Sequence, residues 1–173
     1  MKEEEYMLNY RIIKRVISLI LIIIIIYLPA CNKEFTFRGH KFNETTEEIQ
    51  KTEGNNYQTK QSDNIKYIYY DDVQYANSTG QATFVLIENK LKYIYFIVHE
   101  EKKKEDIIDK IKGGMNIGDP EKEVEINDGY KAMWGKDDYG IVLIAANSEA
   151  LIIFGPYSKM TKFYETMHVT DLD

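Results

Sequence analysis

Three histidines, one cysteine and two Asp-Asp pairs are the side chains with the most obvious chemical potential in this chain. His40, His99 and His168 could ligate zinc or move protons, yet no two share the four-residue spacing that brings two imidazoles to one metal. His99-Glu100 does not open a zinc-protease motif, because Lys103 stands where the second histidine is needed. Asp71-Asp72 and Asp137-Asp138 could hold calcium or divide acid and base roles. Neither pair has oxygen ligands at regular spacing, and neighbours in a strand point to opposite faces. The glycine-rich stretch Lys112–Pro120 follows a helical pattern, where a phosphate cradle would precede one, and no Gly-Lys-Ser/Thr closes it. Ser148 and Ser158 lack a Gly-x-Ser-x-Gly setting. The expectation is no catalytic residue, no metal site and no cofactor.

Aromatic side chains are the larger signal, with 14 tyrosines, 7 phenylalanines and Trp134. Tyr67, Tyr69, Tyr75, Tyr93, Tyr95 and Trp134 are the candidate binding surface for a peptide or glycan, since such rings give wide contact at small entropic cost. The competing reading is ordinary cross-strand packing.

Cys31 ends the apolar run Val16–Ala30, which Arg11, Lys14 and Arg15 precede. A basic flank stays cytoplasmic, so the chain beyond Cys31 is expected outside. About 15 residues at ~1.5 Å each reach only ~23 Å of the ~30 Å hydrocarbon core, which favours a signal-peptide core over a span. Leu28-Pro29-Ala30-Cys31 resembles the lipobox of bacterial lipoproteins, in which the cysteine receives diacylglycerol and becomes the mature N-terminus. Leu28, Ala30 and Cys31 match, and Pro29 departs from the pattern. The resemblance implies attachment to membrane lipid through Cys31; the alternative is an uncleaved single-pass anchor.

The formal net charge is −6, and Met1–Ala30 carries four basic residues against three acidic, so the remainder is more acidic still. Such a surface repels nucleic acid, and no nucleic-acid partner is expected. Three parts are expected: residues 1–30 as signal peptide or anchor, 31–64 as a polar linker with a short strand and weak helix, and 65–173 as the domain. In the linker, Phe35-Thr36-Phe37 alternates like a strand, and Thr45 to Glu48 fits a capping box ahead of Gly54. Beyond it, Ile65–Tyr75, Gln81–Glu88 and Leu91–His99 read as strands joined by short polar turns. A helix is expected over Lys102–Lys112, stopped by Gly113-Gly114. Strands follow over Val124–Trp134, in one or two pieces, Tyr139–Ala146 and Ala150–Tyr157. Ser158 is expected to cap a final helix over Lys159–His168.

The expected fold is α+β: an antiparallel sheet of about six strands in two three-strand sets, with helices on one face and an N-terminal hydrophobic helix. Phe37-Arg38-Gly39-His40-Lys41-Phe42, then Thr45-Thr46-Glu47-Glu48-Ile49, resembles the opening of small α+β lipoproteins of the SmpA and beta-lactamase-inhibitor-like type. Asn43 stands where that pattern has a glycine. The resemblance implies a noncatalytic binding or assembly role in the cell envelope, with an envelope protein or cell-wall component as partner. A hydrolase of envelope polymers is the reading from another class.

Overall fold

The computed structural model describes residues 36–100, 104–126 and 129–167. The N-terminal hydrophobic helix, Cys31 and His168 lie outside them. In chain order the elements are α1 (Thr46–Glu53), β1 (Gln58–Ser62), β2 (Ile65–Tyr75), β3 (Ser78–Ile87), β4 (Lys90–His99) and α2 (Lys104–Met115). Then come β5 (Lys122–Ile126), β6 (Gly129–Lys136), β7 (Tyr139–Ala146), β8 (Glu149–Pro156) and α3 (Tyr157–Thr166). Among the described residues no helix is long and apolar enough to cross a membrane.

The six-strand, two-set expectation is overturned. All eight strands form one antiparallel sheet in the order β1-β2-β3-β4-β8-β7-β6-β5, and β4 pairs directly with β8 to fuse the two sets. β1 escapes a periodicity reading because Gln-Thr-Lys-Gln-Ser is polar on both faces; it is exposed throughout and serves as an edge strand beside β2. Turns are tight where the backbone allows: Glu88 and Asn89 both take positive φ, the two-residue hairpin geometry that matches strand twist.

Helices on one face is the second correction. Ile49 of α1 and Ile107, Ile108, Ile111 and Met115 of α2 join the core on one side of the sheet. On the other side α3 packs against β6, β7 and β8 through Met160. Both faces of a sheet with two apolar sets need cover, and here different helices supply it.

Residues 36–64 belong to the compact unit that starts at Phe35. Phe37 forms an isolated bridge with His40, not a strand, and its ring fills the centre of an aromatic cluster. Ring centroids of Tyr75, Phe154, Phe96 and Phe84 lie 4.6, 5.5, 5.6 and 5.9 Å away. The capping box of α1 is formed on both sides: Thr45 Oγ1 accepts from the Glu48 amide and Glu48 Oε2 accepts from the Thr45 amide.

Two helix ends differ from expectation for packing reasons. α2 runs through Gly113-Gly114, because Gly114 lets the helix touch the β2–β3 turn; a Cβ there would stand 2.2 Å from the Ala76 carbonyl carbon. α3 starts at Tyr157 without Ser158 as its cap, and the Tyr157 amide donates instead to the Asp138 carbonyl of the β6–β7 turn. The first turn of α3 sits over a row formed by Gly135, Gly140 and Gly155, which pair directly across β6, β7 and β8. A Cβ on Gly140 would come within 3.0 Å of Met160 Cβ.

Candidate functional site

One row of paired residues runs across six strands on the α3 side. Tyr69 lies opposite Thr83, Thr83 opposite Tyr95, and Tyr95 opposite Ile153. Ile153 lies opposite Val142, and Val142 opposite Met133. The two halves of this row differ in chemistry and cover. Ile153, Val142 and Met133 are buried in the cluster that α3 closes, whereas Tyr69 and Tyr95 remain half-buried on β2 and β4.

A second row, Tyr67–Val85–Tyr93, lies beside the first. Thr83 and Val85 are buried between the tyrosines and form the floor. The Tyr67 and Tyr69 rings are nearly parallel, at 15° and 6.3 Å between centroids. Tyr93 leans over Gly155, where a Cβ would meet its ring at 2.7 Å, and meets Phe163 of α3 edge-on at 6.5 Å. Burial pushes the Tyr95 phenol up from its ordinary value, and Tyr93 and Tyr67 add to the effect. The phenol therefore stays protonated at neutral pH, able to donate and accept. Ring faces for stacking beside hydroxyl groups, with no charged group in either row across β2, β3 and β4, suit an uncharged aromatic, apolar or sugar surface.

Of the six residues singled out in the sequence, Tyr67, Tyr69, Tyr93 and Tyr95 share this face. Tyr75 and Trp134 lie on the opposite face. Tyr75 packs on Phe37, Phe96 and Phe154, and Trp134, 2% exposed, donates its indole N–H to the Gly118 carbonyl at 2.9 Å. The register explains the split: Trp134 stands one residue from Met133, so the pleat turns it to the other side. In β2 a bulge between Tyr70 and Val73 shifts the alternation that ends at Tyr75.

The other chemically capable residues fall elsewhere. Asp71 accepts from Gln81 Nε2 at 2.8 Å, and Asp72 occupies the β2 bulge with positive φ. Asp137 takes positive φ in the β6–β7 turn. His99 is exposed, its Nδ1 3.0 Å from Glu149. A cleft of about 500 Å³ between α2 and β5 is lined by Glu105, Asp109, Glu123 and Glu125 with Lys112 and Tyr130. Glu123 there accepts from Tyr130 Oη at 2.7 Å and Lys112 Nζ at 3.3 Å. No group of three or more metal-ligating side chains is gathered among the described residues.

His40 is a feature that sequence spacing did not disclose. Its side chain is fully buried, with Nδ1 2.7 Å from Glu44 Oε2 and Nε2 2.9 Å from Glu53 Oε1. Arg38 Nε donates to that same Glu53 oxygen at 2.9 Å. The His40–Glu44 spacing of four was visible, but Glu53 arrives only because α1 folds back over the turn.

No family model matches the chain, and no curated protein matches it. A solved structure of a GTP-binding regulator from Thermotoga maritima is similar at 13% identity and a TM-score of 0.43, over 64% of this chain and 79% of that chain. A likeness at that level carries no argument about binding or function to this chain.

Proposed function

We propose that the chain is an extracytoplasmic, noncatalytic binding or assembly module of a bacterial cell envelope, anchored through a lipid on Cys31. A protein or cell-wall partner would lie against Tyr67, Tyr69, Tyr93 and Tyr95. The observation that carries the binding face is the divided row: its Ile153–Val142–Met133 half is covered by α3, while its Tyr69–Thr83–Tyr95 half presents half-buried aromatic rings. Aromatic side chains with polar tips at a partly exposed sheet face are the composition of recognition surfaces.

The binding face is tested by retention of the intact chain on purified cell-wall sacculi and, separately, on an immobilised detergent-solubilised envelope fraction. Wild type is expected to be retained by one of them, and Tyr67→Ser/Tyr95→Ser to lose retention while keeping its circular dichroism spectrum. Equal retention of the double variant, or no retention of wild type on either, defeats the reading. The anchor is tested by intact mass of the membrane-fraction protein, with Cys31→Ala as control. A mature chain beginning at diacylated Cys31 is expected, and an intact chain from Met1 favours the single-pass alternative that Pro29 keeps open.

A further inference from the structure

The buried His40 cluster has a geometry that one protonation state satisfies and the other does not. Both ring nitrogens face carboxylate oxygens, Glu44 Oε2 and Glu53 Oε1, at 2.7 and 2.9 Å. An ionised carboxylate only accepts, and a neutral imidazole has a single N–H, so only the imidazolium satisfies both contacts. Neither carboxylate can swing away freely. Glu44 Oε1 also accepts from the Lys41 amide at 2.8 Å, and Glu53 Oε1 also accepts from Arg38 Nε. Arg38 is fixed in turn by donating to the Gln74 carbonyl of β2 at 2.7 Å.

Arg38 already neutralises part of the Glu53 charge, but its donors go to Glu53 and the Gln74 carbonyl and not to Glu44 Oε2, which faces His40 Nδ1. From β3 the ring meets Phe84 edge-on at 4.8 Å. From β2 the nearby titratable group is the Tyr70 phenol, raised to about 12 by burial and then by the Glu53 charge, so it stays neutral. From the turn itself come Arg38 and Glu44, and from α1 comes Glu53.

We propose that His40 is a pH-operated latch: as an imidazolium it pins the turn Phe37–Asn43 to α1 and the sheet, and losing its proton as pH rises loosens that turn locally. The latch controls how firmly this turn is held. It stands apart from the lipid-anchor and tyrosine-face readings and does not depend on either.

The direction follows from the partners. Burial alone would lower the His40 value, but hydrogen bonds and charge from Glu53 and Glu44 outweigh it and raise it above the ordinary 6.5. A group raised in the folded state contributes its stability fully below the unfolded value and loses it as pH rises through the folded one. Between those two values the opening constant of the turn is expected to rise up to about tenfold per pH unit.

The test is amide hydrogen exchange in the full-length chain from pH 6 to 9, corrected for the intrinsic pH dependence. The amides of His40 and Asn43 report on the latch, since they bond to the Phe37 and Leu91 carbonyls. Leu143 and Ile144 in β7 serve as controls. Latch protection is expected to fall with pH while the controls hold. A flat latch profile, or an equal loss at the controls, overturns the proposal. His40→Gln is expected to abolish the pH dependence. Should that variant not fold, nitrogen-15 NMR of the wild-type ring decides independently: two ring N–H protons at pH 6.5 support the latch, and a neutral ring at that pH refutes it.

Discussion

Phe37 is 1% exposed and touches four aromatic rings from β2, β3, β4 and β8, so its loss opens a cavity that no single neighbour can fill. Phe37→Ala is expected to cost about 3–5 kcal/mol in urea unfolding. That residue was legible as apolar but not as core, because its flanks are polar and its partners lie on distant strands. Glu53 carries a second prediction. Burial would raise its carboxyl, but hydrogen bonds from His40 and Arg38 hold it below the ordinary 4.5. A depressed carboxyl contributes stability above its unfolded value and loses it as pH falls through the folded one. Urea unfolding followed by circular dichroism should therefore show wild-type stability holding at about pH 5 to 6 and falling as the pH is lowered further, with Glu53→Gln flattening part of that acid limb.

Among the elements, β2, β3, β4, β7 and β8 were readable as runs of β-branched and aromatic residues, and their observed bounds sit within a few residues of the expected ones. β1 was not, since an exposed edge strand has no buried set to create a period. The glycines were ambiguous in the same way: Gly113-Gly114 reads as a stop, yet Gly114 is a contact point, a distinction that depends on what approaches from outside the segment. Gly140 makes the point testable. A side chain there would stand 3.0 Å from Met160 Cβ and 3.2 Å from its Cγ. Gly140→Val should push α3 off the sheet and cost about 1–3 kcal/mol, read from the urea midpoint at unchanged slope. The candidate face was half legible. Alternation places Tyr93 and Tyr95 together on β4, but the bulge in β2 and the pleat of β6 that divert Tyr75 and Trp134 are not properties of composition.

At the level of the whole molecule, the sequence pattern reads as two runs of strands and does not show that they form one eight-stranded sheet. Local turns dictate which strands form hairpins, whereas the β4–β8 pairing is chosen by complementarity between segments far apart in the chain. Leu91–Val98 is apolar in both alternating sets, as a central strand covered on both faces would be, and that is the trace the join leaves in the sequence. That join also carries a kinetic prediction. Each four-stranded set closes through neighbouring hairpins, while the join must first overcome the entropy of closing a long loop, so it is expected to form last. Ile94→Val, which pairs with Phe154 across the join and with Phe84 inside the β3–β4 hairpin, is expected to speed unfolding more than it slows folding. Ile141→Val, whose partners Trp134 and Phe154 both lie within the β6–β7–β8 set, is expected to slow folding more than it speeds unfolding, and the two arms of a stopped-flow chevron separate these outcomes. The seam between β4 and β8 is thus expected to part first, and its opening would bare two further sheet edges, one on β4 and one on β8.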